Sequence, residues 1–141
     1  MRLDAAVDAY VPADYVPLEA VKIDLHRRIA LAAERGDLRE LDAELTDRFG
    51  PVPEPVGNLL VLQEARLAAA ELGAQTLALR GGRMAVAPLT LTSAQVAELK
   101  RATPNALYTV ARREVSRPVS GASQVLETLD AILEIRRVVA A

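Results

Sequence analysis

The sequence predicts an α+β fold, and three observations predict it. Apolar residues recur at three- and four-residue steps from residue 18 to residue 72. The period then switches to two in QTLALR-GG-RMAVAP, residues 75 to 88. An amphipathic run, SQVLETLDAILEIRRVVA, closes the chain. Helices come first, then a hairpin, a short helix, a second strand pair and a last helix, an order that segregates the element types rather than alternating them.

The elements follow in turn. Residues 2 to 16 lack helical periodicity, and DAYVPADYVP nearly repeats Tyr-Val-Pro. Its prolines fix φ and remove donors, which predicts an extended, turning strap whose tyrosines and valines lie across the body of the fold. Leu18, Val21, Leu25, Ile29 and Ala32 share one face of a first helix, with Gly36 as its stop and Asp37 as the N-cap of the next. That second helix places Leu38, Leu41, Leu45 and Phe49 on one stripe and ends at Gly50. Pro55 fits the first position of a third helix, where its missing donor costs nothing. Leu59 to Leu62 cover most of that helix's circumference, so it is expected to be the most central one, closed by Gly73. Gly81-Gly82 supplies the positive φ of a tight hairpin turn, with Leu77, Leu79, Met84 and Val86 facing inward. LTSAQVAELKRA is a short helix with Ser93 as N-cap. ALYTVARREVSRPV is a second strand pair whose turn lacks glycine. Leu126, Leu129, Leu133 and Ile135 to Val139 form the apolar side of the last helix.

Composition narrows the function. The 141 residues fit one domain of the soluble globular class, with 51% hydrophobic and 26% charged residues. Aromatics are 3%, so Leu, Val, Ile and Ala must build the core. A net charge of −2 without a charged block at either end argues against a dedicated nucleic-acid binder. The lack of cysteine excludes disulfides, thiolate zinc and a cysteine nucleophile. One histidine, His26, leaves little room for a metal cluster or a Ser-His-Asp triad, so neither metal nor cofactor is expected. No apolar run reaches the length of a membrane span. The N-terminal MRLDAAVDAYVP has acids where a signal peptide needs an apolar stretch, so a cytoplasmic location is expected. Phosphate-cradling loops, the G-x-S-x-G elbow and H-E-x-x-H are absent.

The charges of the second helix carry the remaining signal. On a helical wheel Glu40, Glu44 and Asp47 cluster about 140° from the apolar stripe, and Arg48 flanks them at i+4 from Glu44. As paired carboxylates Glu44 and Asp47 sit on the face away from the core beside a cation, which favours ionised acids over a proton donor. Two readings stay open on spacing alone: a solvated helix face, or an acidic patch that meets arginines on a partner. Arg112, Arg113 and Arg117 offer a weaker alternative, an accessory nucleic-acid surface across the second strand pair.

VDAYVPADYVP, HRRIALA, ELTDRFGPVPEPVGNLL, ARLAAAELG and GGRMAVAP, in this order and spacing, resemble the C-terminal domain of bacterial transcription-repair coupling factor. The resemblance runs from about residue 4 to the end, and D-R-F-G-P-x-P-x-P-V is its most specific part. It implies a non-catalytic regulatory domain at residues 17–141. Residues 1–16 would be the strap or linker from a preceding ATP-dependent DNA translocase motor. It further implies docking on the UvrB-like domain of the same protein, which masks the surface that binds UvrA. The parent protein would engage DNA and release stalled RNA polymerase. Carried over by position, the resemblance implies that Glu44 and Asp47 are the acids that would face arginines of the UvrB-like domain. Glu40 is added from the wheel, with Arg48 at the flank.

Overall fold

The computed structural model describes residues 1–139. Ala140 and Ala141, at the end of the expected last helix and domain, lie outside the described residues. The chain divides into two compact units, Asp8–Leu67 and a second made of Met1–Val7 with Ala68–Ala141. The boundary expected at residues 16 and 17 lies inside the first unit.

The first unit holds α1 (Glu19–Leu31), α2 (Arg35–Phe49) and most of α3 (Glu54–Glu71). Val11, Val16, Leu25, Ile29, Leu38, Leu41, Leu45, Val56 and Leu60 form one buried cluster. The Tyr-Val-Pro near-repeat supplies two of its fully buried members, Val11 and Val16, so the strap is built into the core, while Tyr10 is exposed. The backbone N–H of Tyr10 donates to Pro55 O at 3.2 Å and the Asn58 amide donates to Asp8 O at 2.8 Å, tying the strap to the start of α3. Three expectations shift here. Leu18 sits at the N-cap of α1 and is 67% exposed, because it precedes the first turn that would carry it inward. Gly36 does not stop α1; it lies inside α2, which Glu34 caps while Asp37, three residues on, returns the bond in a capping box. α3 begins at Glu54, which puts Pro55 one position further in than expected.

α3 is covered nearly all round: of its 18 residues only Glu54, Ala70 and Glu71 are exposed. Gly73, at φ 82°, ends it. Gly73 N–H donates to Ala70 O and Ala74 N–H to Ala69 O, the paired bonds of a Schellman close.

The second unit is a five-stranded sheet with two helices. Its strands are β1 (Arg2–Ala5), β2 (Thr76–Arg80), β3 (Arg83–Ala87), β4 (Leu107–Thr109) and β5 (Glu114–Pro118), in spatial order β1-β2-β3-β5-β4. β1 runs parallel to β2, and the other pairs are antiparallel. The expected hairpin forms, with Arg80 opposite Arg83 and both glycines at positive φ. Leu77, Leu79, Met84, Val86 and Val115 are buried. In the β4–β5 connection Arg113, at φ 49°, takes the left-handed position that a glycine would usually fill. Helices α4 (Ser93–Ala102) and α5 (Ala122–Val138) pack together. Thr92, not Ser93, caps α4: its hydroxyl accepts from Gln95 N–H at 3.2 Å and Gln95 Oε1 accepts from Thr92 N–H at 2.9 Å. The buried face of α5 is Val125, Leu129, Ile132 and Ile135; Leu126 and Leu133 are half-buried and Val138 is 65% exposed.

Candidate docking face

α2 is a rigid platform. Leu38, Leu41 and Leu45 are buried along one side, and each end is fixed by side-chain chemistry. At the start, Asp37 Oδ2 accepts from the N–H groups of Ala33 and Glu34 at 3.3 and 3.2 Å. Arg35 donates to Glu64 of α3 at 3.1 and 3.0 Å, a half-buried pair. At the far end, Gly50 at φ 89° turns the chain out of the helix. There the Tyr15 hydroxyl of the strap donates to Gly50 O, just past the helix end, at 3.0 Å and lies 3.3 Å from Leu45 O in the last turn. The Tyr15 and Phe49 rings stand 5.7 Å apart in a tilted contact, and the Arg48 guanidinium lies 5.0 Å over Phe49. Burial raises the Tyr15 phenol above its ordinary value, and the Asp42 charge adds to the shift.

On this platform the predicted residues do not share one environment. Glu40, Asp47 and Arg48 are exposed, and Glu44 is half-buried. Glu44 is bidentate with Arg28 of α1: Arg28 Nη2 donates to Glu44 Oε1 at 3.2 Å, and Nη1 donates to Oε2. Arg48 stands 3.9 Å from the same carboxylate. The hydrogen bonds from Arg28 hold the Glu44 carboxyl below its ordinary value; burial opposes them, and the Arg28 and Arg48 charges add to the lowering. That direction is opposite to the raised carboxyl a general acid needs. Among the described residues Glu40 and Asp47 take part in no ion pair. Glu40 also borders a groove of about 320 Å³ between α1 and α2, lined with Arg27, Leu31 and Asp37.

Arg28 is the residue that sequence reasoning missed. It was visible only as part of HRRIALA, flanking the buried Leu25 and Ile29. Arg112 and Arg117 of the arginine group have separate partners within the fold. Arg112, in the turn before β5, lies 3.8 Å from Glu114. Arg117, near the far end of β5, donates to Thr128 Oγ1 of α5 at 2.9 Å. His26 is exposed on α1, and among the described residues no three His, Cys, Asp or Glu side chains are grouped to hold a metal. No described helix is long and apolar enough to cross a membrane.

Residues 5–99 match the family model of the TRCF domain. The chain belongs to the TRCF domain family. The transcription-repair-coupling factor of Mycobacterium bovis is 32% identical over 120 residues, 84% of this chain and 10% of that protein. That of Escherichia coli K12 is 32% identical over 76 residues, 54% of this chain and 7% of that protein. The chain thus spans about a tenth or less of the curated relatives it matches. The crystal structure of a C-terminal domain of transcription-repair coupling factor superposes with a TM-score of 0.79 at 20% identity, covering 98% of this chain and 94% of the other. The α+β fold is therefore that of a TRCF C-terminal domain.

Proposed function

We propose that this TRCF domain is a non-catalytic, autoinhibitory docking module whose α2 face binds a basic surface, that of the UvrB-like domain of its parent translocase. One observation carries the reading: the unpaired, exposed carboxylates Glu40 and Asp47 flank Glu44 on a helix fixed at both ends. On this reading docking masks the surface that binds UvrA and restrains the motor until RNA polymerase is engaged. Residues 1–16 lead from that motor, residues 17–141 form the regulatory domain, and the parent works in the cytoplasm on DNA. A polar contact of this kind opens readily, because exposed ion pairs are individually weak and screened by salt. Tethering within one chain raises the effective concentration and keeps a weak contact mostly closed.

The test is calorimetry between this chain and the UvrB-like domain. Glu44→Ala with Asp47→Ala is expected to lower the affinity about tenfold, as loss of interfacial charge does, with helicity unchanged. An unaltered affinity would remove these acids from the interface. In the full-length protein the same pair of substitutions is expected to raise ATPase activity and UvrA binding.

A further inference from the structure

Glu44 is the middle acid of the face, and it is the one already engaged. Arg28 approaches it with two N–H groups, one to each carboxylate oxygen. This fork is the pose that an arginine from a partner would adopt, because guanidinium and carboxylate match best in a bidentate pair. While Arg28 holds both oxygens, an incoming guanidinium finds no equivalent place on Glu44. The pair is also reachable, with side chains 42% and 39% exposed. Arg28 stands on α1 and Glu44 on α2, so either side chain swings away without disturbing the backbone of the other helix.

We infer that Arg28 is a further residue of the docking face and acts against docking, as an internal competitor that occupies Glu44 until a partner's arginine displaces it. The inference rests on the docking reading above. Binding at Glu44 then exchanges one arginine for another and adds little. The net gain comes from Glu40 and Asp47, which have no ion pair to lose. These two are seven residues apart, about 10 Å along the helix axis. The face therefore selects a surface that carries at least two basic side chains over that span, one of which completes the exchange at Glu44. A single basic group gains little from it.

The experiment is a double-mutant cycle by calorimetry against the UvrB-like domain, with Arg28→Ala, Arg28→Lys, Glu44→Ala and the Arg28→Ala/Glu44→Ala pair. Arg28→Ala is expected to bind about three- to tenfold tighter than the parent chain, and Arg28→Lys less so, since lysine keeps the charge but loses the fork. In the Glu44→Ala background most of the Arg28→Ala gain is expected to vanish. Nitrogen-15 spectra of the arginine side chains supply an independent readout, in which the Arg28 resonance moves to its unpaired position on docking. Equal or weaker binding by Arg28→Ala overturns the competitor role. So does a gain that persists undiminished without Glu44, which would be plain charge repulsion. Either result is distinguishable from failure of the docking reading, in which Glu44→Ala with Asp47→Ala binds like the parent chain. Arg28→Lys keeps the test sharp if the alanine variant unfolds.

Discussion

The helical unit and the sheet unit differ in how they hold their charge. Asp8–Leu67 contains twelve Asp and Glu against seven Lys and Arg, a net −5, while the other unit has seven against ten, a net +3. Charge excess alone does not make an interaction surface in either. In the sheet unit the arginines are largely committed: Arg80 forks onto Asp4, Arg117 reaches Thr128, Arg136 donates to Leu72 O, and Arg137 pairs with Glu134. In the helical unit, among the described residues, Glu40 and Asp47 stand exposed without an ion pair, next to a Glu44 that is paired with Arg28. On the docking reading, the α2 face differs from the sheet unit in carrying charge that is both held in place and uncommitted.

That contrast can be broken most severely at the platform. Leu45→Ala removes a residue 2% exposed from the cluster under the acids, and should cost about 2–5 kcal/mol in denaturant unfolding. Loss of docking would accompany it only through loss of α2. In the sheet unit, Gly81→Ala places a Cβ at φ 56° in the hairpin turn and should cost about 1–2 kcal/mol. Docking should stay unchanged, which separates the units by readout. Thr92→Ala deletes one half of the α4 capping box and should lower stability by about 1 kcal/mol, read as a lower Tm.

The smallest effect sharpens the comparison by pH. Pairing with Arg28 lowers the Glu44 carboxyl below its unfolded value. Its contribution to stability is therefore present above the ordinary glutamate range and is lost as pH falls through the lowered folded value. The Tm difference between the parent chain and Glu44→Gln should shrink as pH drops through that range. A difference that stays constant would mean that Arg28 and Glu44 are not paired in solution.

What the sequence made legible was local. The stripe Leu38, Leu41, Leu45 and Phe49 and the outward acids follow from one helical period, and the glycine hairpin from another. What escaped needed a distant partner. β1 exists because Arg2–Ala5 pairs with Thr76–Leu79, more than seventy residues away, and four residues show no strand period on their own. On α5 the expected Leu129 and Ile135 are buried, but Val125 and Ile132 take the inward places expected of Leu126 and Leu133, which share the same seven-residue spacing one position on. Arg28 was invisible as a site residue for the same reason as β1: its role is set by Glu44, sixteen residues on and across a turn.

The tyrosine at the end of α2 has a consequence for how such a face can change over time. The Tyr15 hydroxyl reads the main-chain oxygens of Leu45 and Gly50, while its ring meets Phe49 on the core side of the helix. The clamp therefore fixes where the helix ends and is indifferent to which residues it displays. Exposed positions such as 40 and 47 can be rewritten by mutation while their places in space are inherited unchanged, so on the docking reading a lineage can retune its partner preference without having to refold the scaffold.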